Sequence, residues 1–269
     1  MSRTSPPHQP VPIGVLDSGI GGLTIWQEII RTLPQESTVY IGDHAYLPYG
    51  LRSPEEIRER TTLLINFLAA KQAKLIVIAC NTATTAGIDV YRALVPHIPI
   101  IGVVPVIKTA VTMTRTKHII VLSTPYTAAS AYQSSLIKTF GAGCRIEAVG
   151  IPGLAELIES DANEGELDQL LASYLKPEKL RGVDVIVLGC THYPFLLPRI
   201  ERMVGNGIRV IDSGAAVARH VARVLSAEHL QQESGIVRAL FYTTGDASHV
   251  SHVASKRTGL TLQFFHEHL

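Results

Sequence analysis

Two apolar segments of the sequence end in side chains that can do chemistry. The run LIVIAC ends at Cys80, and a second run, VIVLGC, ends at Cys190. The side chains that follow the two cysteines are polar: Asn81 and Thr82 after the first, Thr191 and His192 after the second. A lone buried cysteine often behaves as a small hydrophobic residue. Polar neighbours are costly to bury without partners, however, so these two clusters indicate a polar site.

A pair of cysteines on opposite sides of a ligand could move a proton at carbon. The sequence places each cysteine where a strand passes into a helix, and the positive end of a helix would lower the pKa of a thiol. One sulfur, as thiolate, could then remove a proton while the other, as thiol, returns a proton to the opposite face. The result would be inversion of a stereocentre without a cofactor, and the cysteines would exchange roles for the mirror-image substrate.

Other chemistries fit these residues less well. A cysteine hydrolase needs one thiol, a distant histidine and an orienting group, and it leaves the second cysteine unused. Zinc binding by Cys80, Cys190 and His192 stays open, although their spacing matches no common zinc site. No lysine lies at a strand end in a polar cluster, so there is no candidate for attaching pyridoxal phosphate. The third cysteine, Cys144, has no polar company.

Two further loops carry groups that suit an amino-acid ligand. The loop DSGIGGLT begins with Asp17 and Ser18, and its glycines would let backbone N–H groups approach an anion such as a carboxylate. Asp17 could bind a substrate ammonium group or assist a neighbouring thiol, and the alternative is a helix N-cap. The loop GDHAYLPYG ends in Tyr49 and Gly50, which could close over a ligand with backbone donors or form only a turn.

The elements that must position these loops alternate between strand-like and helix-like segments along almost the whole chain. The apolar runs lack polar alternation, which indicates parallel strands buried on both faces. Ser53 to Glu56 reads as a capping box with proline at the first helical position, and Gly141 follows Phe140 as a helix stop. These patterns predict an α/β protein with mostly parallel sheets flanked by helices.

A weak internal repeat predicts two similar lobes. The segment GVLDS at Gly14 is echoed by IVLST at Ile120, and Cys80 is echoed by Cys190. Open α/β sheets bind ligands at the carboxyl ends of their strands. If the two lobes face one another, both thiols enter one cleft.

Composition restricts the class of protein. The formal net charge of the 269 residues is +1, which gives no reason to expect a nucleic-acid or membrane surface. No apolar run approaches the ~20 residues needed to cross a bilayer, and the segment MSRTSPPHQPVP lacks the apolar core of a signal peptide. Three cysteines, an odd number, argue for a reducing compartment. We therefore expect a soluble cytoplasmic protein with a disordered, proline-rich tail at residues 1–12.

Four segments, DSGIGGLT, GDHAYLPYG, ACNTATT and LGCTHYP, resemble in this order the signature segments of bacterial glutamate racemases, and the resemblance runs from Ile13 to about Phe265. It implies cofactor-independent interconversion of L- and D-glutamate, which supplies D-glutamate for peptidoglycan. It also implies a two-lobed α/β fold with the active site between the lobes, in which the chain returns to the first lobe after the strand IRVID. The first lobe would comprise residues 13–103 and 213–269, and the second lobe residues 104–212.

The resemblance also assigns residues to roles. Cys80 and Cys190 match the two acid/base cysteines, with Asp17 expected to assist the first and His192 the second. The expected catalytic set is Cys80, Cys190, Asp17, His192 and Glu159. The expected substrate contacts are Asp17, Ser18, Tyr49, Gly50, Asn81, Thr82, Thr124, Thr127, Thr191 and His192. The sequence departs from the family where Ser123 replaces a frequent glycine and Ile151 a frequent cysteine, and neither change touches the catalytic set.

The substrate does not follow from the residues alone. Two carboxylates and an ammonium group need several donors and one acid, which this set supplies, but aspartate carries the same groups. A pocket discriminates one methylene by only ~1–3 kcal/mol. A racemase of aspartate or another acidic amino acid, and a non-catalytic amino-acid-binding protein, therefore stay as alternatives. Some members of the family require a cell-wall nucleotide precursor as activator, so this ligand and a second copy of the chain are partners to be tested.

Overall fold

The computed structural model describes residues 11–232 and 235–269, so the predicted tail falls largely outside the described residues. The strands in the described part of the chain are β1 (Ile13–Asp17), β2 (Thr38–Gly42), β3 (Leu75–Ile78), β4 (Ile100–Gly102), β5 (His118–Ser123), β6 (Arg145–Gly150), β7 (Val185–Leu188), β8 (Arg209–Ile211), β9 (Ala239–Thr243) and β10 (Phe264–His266).

The α-helices of the same residues alternate with these strands. They are α1 (Leu23–Thr32), α2 (Pro54–Ala70), α3 (Asn81–Leu94), α4 (Ile107–Met113), α5 (Pro125–Ala129), α6 (Ala131–Phe140), α7 (Leu154–Glu159), α8 (Glu164–Tyr174), α9 (Pro177–Leu180), α10 (Leu197–Val204), α11 (Gly214–Ala227) and α12 (Ala247–Thr258). Short 3₁₀ turns cover His44–Tyr46, Tyr49–Leu51 and Tyr193–Leu196. None of these helices combines the length and the apolar character that a membrane crossing needs.

The strands form two sheets in which every strand pair is parallel. The first sheet has the order β10-β9-β2-β1-β3-β4 and the second the order β6-β5-β7-β8. The order β2-β1-β3-β4 within the first sheet is repeated by β6-β5-β7-β8 in the second. The predicted fold class, an α/β protein with two parallel sheets flanked by helices, is confirmed, and the weak sequence repeat corresponds to this repeated strand order. The exact boundaries of the two lobes stay a prediction.

The local signals read from the sequence produce the expected elements. Strands β1, β2, β3 and β7 are buried at every residue, as continuous apolar runs in a parallel sheet require. The capping box at α2 is present, because Ser53 Oγ accepts from Glu56 N at 3.2 Å and Ser53 N donates to Glu56 Oε2 at 3.0 Å. Helix α6 ends at Phe140 with Gly141 as its cap.

One strand was not predicted from the sequence. Strand β10 lies at the edge of the first sheet, close to the end of the described residues. Phe264 is buried and its backbone N–H donates to Ser251 Oγ at 2.9 Å, so α12 fixes the strand in place. Three residues with an exposed phenylalanine in the middle carry no periodic signal, which is why pattern reading missed it.

Candidate active site

Cys80 and Cys190 occupy corresponding positions in the two sheets. Cys80 lies just beyond the carboxyl end of β3, and Cys190 just beyond the carboxyl end of β7. In the strand orders given above, β3 and β7 hold equivalent places. Both thiols are buried and both line the same cleft between the two sheets. The expectation that the repeat brings the two cysteines to one cleft is met by this arrangement.

The cleft has a volume of about 510 Å³, which includes space open to solvent. Of the residues expected to contact a substrate or to react, those that line it are Ser18, Tyr49, Gly50, Cys80, Asn81, Thr82, Thr124, Cys190, Thr191 and His192. The other three expected residues, Asp17, Thr127 and Glu159, do not line the cleft but contact residues that do. Loop residues such as Leu47 and Pro48, with Ile151 from the second lobe, supply its apolar wall.

Cys80 is the N-cap residue of helix α3, and its sulfur takes part in the cap. Cys80 Sγ accepts the backbone N–H of Ala83 at 3.4 Å and lies 3.7 Å from Ser18 Oγ. Burial nevertheless raises the pKa of this thiol well above its usual value, the charge of Asp17 raises it further, and the two hydrogen bonds offset this only in part. The prediction that the helix end lowers the thiol pKa is therefore wrong for Cys80, because desolvation outweighs the helix end.

The surroundings of Cys190 differ from those of Cys80. Cys190 leads into the 3₁₀ turn Tyr193–Leu196 rather than directly into an α-helix, so the predicted junction of strand and helix is found only at Cys80. Its sulfur instead lies 3.8 Å from Nδ1 of His192. Nε2 of the same imidazole lies 2.6 Å from Oε1 of Glu159, which ends α7. Cys190, His192 and Glu159 thus form one line of contacts, and all three are buried.

His192 and Glu159 stabilise each other in their charged forms. Burial alone would lower the pKa of His192, but its contacts with Cys190 and Glu159 outweigh burial and raise that pKa well above its usual value. Burial alone would raise the pKa of Glu159, but His44 and His192 outweigh it and hold that pKa well below the usual range. The raised pKa favours the imidazolium form of His192, whose second N–H faces the sulfur of Cys190.

The glycine-rich loop after β1 binds carboxylates that belong to the protein itself. Gly19 N and Gly22 N donate to Oδ2 of Asp17 at 3.2 and 2.9 Å, and Ile20 N donates to Oε1 of Glu159 at 2.6 Å. The prediction that these backbone N–H groups approach an anion is thus right in kind. The anions are Asp17 and Glu159, however, so these donors are not free for a ligand.

Close packing explains why the loop contains glycine. A Cβ atom at Gly19 would lie 1.9 Å from Oε1 of Glu159, and one at Gly21 would lie 2.3 Å from Nδ1 of His192. Real Cβ atoms do not approach other heavy atoms so closely. The loop can therefore contact Glu159 and His192 only if both positions lack a side chain.

Asp17 lies under the floor of the cleft. It is fully buried, and Thr191 Oγ1 donates to its Oδ1 at 3.4 Å. Burial raises its pKa, although the charge of His192 and the Gly22 N–H oppose the change. The alternative that Asp17 caps α1 is wrong, since the cap position is Gly22 and makes no side-chain hydrogen bond. Assistance to Cys80 and direct contact with a substrate stay predictions for this residue.

Three threonine hydroxyls meet where the two lobes face each other. Thr82 Oγ1, at the start of α3, lies 3.0 Å from Thr124 Oγ1 and 3.3 Å from Thr127 Oγ1, and Thr124 donates to Thr127 at 3.0 Å. Beside them, Nδ2 of Asn81 is buried without a hydrogen-bond partner among the described residues. Hydroxyls and an amide N–H₂ are suitable donors to a carboxylate. Gly50 packs closely against Thr124, because a Cβ at position 50 would lie 3.1 Å from Cβ of Thr124.

The phenol hydroxyl of Tyr49 is engaged within the protein rather than free for a ligand. Its hydroxyl donates to Oδ2 of Asp43 at 2.7 Å, and Arg60 donates to the same carboxylate at 2.8 and 3.0 Å. Tyr49 can therefore offer a ligand its backbone, as the sequence suggested, but its phenol is already engaged. Among the described residues, no group of three or more His, Cys, Asp or Glu side chains is arranged to hold a metal ion, so the zinc alternative gains no support.

Sequence reasoning missed one residue of this network. His44 lies in the loop GDHAYLPYG, and its Nε2 is 3.5 Å from Oε2 of Glu159. The loop was recognised, but only Tyr49 and Gly50 were selected from it. No local signal could have paired His44 with Glu159, because the two residues lie in different lobes and are far apart in sequence.

Comparison with known proteins identifies the class to which this site belongs. A sequence model of the Asp/Glu/hydantoin racemase family matches residues 13–221, and the chain belongs to this family. A glutamate racemase from Stutzerimonas stutzeri is 43% identical over 243 residues, which are 90% of this chain and 92% of that protein. One from Pseudomonas putida is 43% identical over 236 residues, 87% of this chain and 89% of its own length. The resemblance to glutamate racemases is confirmed.

Solved structures lead to the same family. A glutamate racemase isoform from Bacillus anthracis superposes with a TM-score of 0.87 at 32% identity, over 97% of this chain and 99% of its own. The Escherichia coli glutamate racemase, in complex with L-glutamate and the activator UDP-MurNAc-ala, gives 0.82 at 31% identity, over 92% of this chain and 96% of its own. An aspartate racemase homologue from Pyrococcus horikoshii is only 14% identical, with a TM-score of 0.52, and shares the fold alone.

Proposed function

We propose that this protein interconverts L- and D-glutamate by proton transfer at Cα between Cys80 and Cys190. The observation that carries the proposal is the pair of buried thiols at equivalent strand ends, both facing one cleft. The curated relatives at 43% identity are glutamate racemases, which supports glutamate as the substrate. Catalysis needs no group beyond the chain itself in this proposal.

In the direction that begins at Cys190, its sulfur is the base. The imidazolium of His192, 3.8 Å away, stabilises negative charge on that sulfur. The thiolate takes the proton from Cα, and Cys80, whose raised pKa keeps it a thiol, gives its proton to the opposite face. The products are a Cys190 thiol, a Cys80 thiolate and the enantiomer of the substrate.

In the opposite direction, Cys80 must become the base despite its raised pKa. The reverse reaction starts from those products, so the proton that Cys80 lacks is the one that Cys190 holds. Asp17, whose charge acts on Cys80 and whose own pKa is raised by burial, is the candidate to assist this exchange. The Ala83 N–H at 3.4 Å then stabilises the thiolate at the start of α3. The two directions therefore use the same pair of sulfurs with different helpers.

Donors around the cleft fit the rest of the substrate. The unpaired amide of Asn81 and the hydroxyls of Thr82 and Thr124 are placed to bind a carboxylate. We further propose that the enzyme works in the cytoplasm, that its D-glutamate enters peptidoglycan, and that it forms a homodimer. The activator bound to the Escherichia coli enzyme makes a cell-wall nucleotide precursor the first regulator to test.

The test is incubation of the purified protein with L-glutamate in D₂O without added cofactor, followed by circular dichroism and by proton NMR of the Cα position. We expect D-glutamate that carries deuterium at Cα. The variants Cys80→Ser and Cys190→Ser should each lose at least ~10³-fold in turnover, a loss that general acid–base catalysis makes reasonable. Cys144→Ser is the matched control, because Cys144 is half-buried and does not line the cleft.

Three results would contradict this proposal in whole or in part. Normal turnover by both the Cys80 and the Cys190 variants would exclude the two-thiol mechanism. Faster turnover of L-aspartate than of L-glutamate by the wild type would show that aspartate is the preferred substrate and would leave the two-thiol mechanism in place. Tight binding of glutamate without exchange at Cα, with and without a cell-wall nucleotide precursor, would indicate a binding protein.

A further inference from the structure

A second histidine faces the carboxylate that holds His192. Oε1 of Glu159 accepts from Ile20 N and from His192 Nε2, both at 2.6 Å. Oε2 faces His44 Nε2 at 3.5 Å, and the side chains of His44 and Glu159 are each only 9% exposed. His44 Nε2 has no hydrogen-bond partner among the described residues, so its 3.5 Å approach to Oε2 is a contact between ionisable groups rather than a formed hydrogen bond. The imidazole of His44 is therefore directed at the one carboxylate oxygen that His192 leaves free.

The first lobe holds His44 in this orientation. Nδ1 of His44 lies 2.8 Å from Thr243 Oγ1, and this hydroxyl already accepts the backbone N–H of Gly245 at 3.0 Å. Nδ1 also lies 3.2 Å from the backbone carbonyl oxygen of Gly42, so both contacts of Nδ1 are with the first lobe and Nε2 is left facing Glu159. A Cβ at Gly42 would lie 2.5 Å from the ring and one at Gly245 2.7 Å from Cβ of His44, so both glycines make room for it.

We propose that His44 is a positioning residue for the Cys190 half of the reaction and acts through Glu159 and His192. It fixes the second oxygen of Glu159 and hence the plane of the carboxylate. The carboxylate plane sets the direction of His192, whose Nδ1 faces Cys190 Sγ at 3.8 Å. This inference rests on the proposed racemase function, and it adds a residue from the first lobe to the machinery of the sulfur in the second lobe.

Cys80 does not share this support. The hydrogen bonds of its sulfur are with the N–H of Ala83 and the hydroxyl of Ser18, and among the described residues neither group is hydrogen-bonded to His44 or Glu159. Loss of His44 should therefore affect proton abstraction by Cys190 more than proton abstraction by Cys80. Misplacement of a catalytic group by a fraction of an ångström to an ångström costs up to about a hundredfold in rate.

Racemisation itself cannot reveal this asymmetry. The two enantiomers have the same free energy, so kcat/KM must be equal in both directions for every variant. A reaction that needs only one base can reveal it. With 3-chloroglutamate, the thiolate removes the Cα proton, the C–H electron pair forms the Cα–Cβ double bond, and chloride leaves with the electrons of the C–Cl bond. The enamine then tautomerises and hydrolyses to 2-oxoglutarate and ammonium.

The experiment compares elimination from the two Cα epimers of 3-chloroglutamate, with 2-oxoglutarate as the readout. The epimer that the Cys80→Ser variant still converts is the one served by Cys190. We expect His44→Asn to slow elimination from that epimer by about 10-fold to 100-fold and to leave the other epimer within about threefold of wild type. The control is His249→Asn, because His249 is exposed on α12 and should change neither rate.

A double-mutant cycle tests the route through Glu159. If His44 acts only through that carboxylate, adding His44→Asn to a Glu159→Gln variant should cause no further loss. Equal slowing of both epimers, no slowing of either, or additive losses in the double variant would each overturn the inference. If His44→Asn does not fold, Thr243→Val removes the hydroxyl that holds Nδ1 and gives the same comparison. A wild type without racemase activity would instead refute the proposed function.

Discussion

Replacing Glu159 with glutamine removes one negative charge from the site while keeping the size of the side chain. The carboxylate accepts two hydrogen bonds at 2.6 Å, from Ile20 N and from His192 Nε2. A hydrogen bond to a charged group contributes ~1.5–3 kcal/mol. The bond from Ile20 N can be made by the glutamine oxygen, so the main loss is the support that Glu159 gives to the positive charge of His192.

The expected loss in rate follows from that one interaction. If the transition state loses about 2–3 kcal/mol, kcat/KM falls roughly 30-fold to 150-fold, since each 1.36 kcal/mol is a factor of ten. The assay is circular dichroism of glutamate in both directions, with Glu166→Gln as control, because Glu166 is exposed on α8. A loss below about threefold would refute the reasoning that the charge of Glu159 keeps His192 protonated.

The same variant should change how stability depends on pH. The pKa of Glu159 in the folded protein lies well below its ordinary value of 4.5, because its contacts with His44 and His192 outweigh the opposing effect of burial. A carboxyl group with a lowered pKa stabilises the fold above pH 4.5, and this stabilisation is lost as the pH falls below 4.5 toward the pKa of the folded state. The wild type should therefore lose Tm more steeply than Glu159→Gln on acidification through this range. Parallel curves for the two proteins would contradict the ionised state assigned to Glu159.

Two further predictions concern the glycine-rich loop and Cys80. Gly21→Ala would place a Cβ 2.3 Å from Nδ1 of His192. We therefore expect the free energy of unfolding to fall by ~1–3 kcal/mol and racemisation to slow about a hundredfold. The control is Gly207→Ala, whose Cβ would have no atom within 4 Å and which should change neither quantity. Asp17→Asn removes a charge that raises the pKa of Cys80. The ultraviolet absorbance of the Cys80 thiolate should therefore appear at lower pH in this variant than in the wild type. An unchanged titration would mean that burial alone sets this pKa.

The sequence predicted the positions of the two cysteines well because the relevant signals are local. An apolar run that ends in a cysteine with polar neighbours marks the carboxyl end of a buried strand, and β3 and β7 are such strands. The parallel sheets and the shared cleft then follow from the rules of α/β folds. The capping box at Ser53 was read for the same reason, since all of its atoms lie within one turn of helix.

The sequence could not predict which groups ionise and which atoms pair. Cys80 was expected to have a lowered pKa from its helix, but the degree of burial decides the outcome, and burial is a property of the whole fold. The glycine-rich loop was expected to hold a ligand anion, but a carboxylate from the other lobe takes the N–H of Ile20. His44 gave no signal because its partner, Glu159, comes from the other lobe.

The repeated strand order explains the position of the two sulfurs but not their chemistry. A sulfur at the end of β3 and another at the end of β7 can face one carbon from opposite sides, and this follows from the backbone alone. Their neighbours do not obey the repeat, because Cys190 faces an imidazolium while Cys80 faces the N–H of a helix start and the charge of Asp17. This difference between the two sulfurs cannot make one direction faster than the other. The enantiomers have equal free energies, so kcat/KM must be the same in both directions. The difference does require that one of the two protonation states of the sulfur pair be more stable than the other, and the imidazolium of His192 favours the state with the negative charge on Cys190. In the proposed mechanism, the enantiomer whose Cα proton faces Cys190 therefore meets a sulfur beside His192, and its mirror image meets a sulfur beside the charge of Asp17.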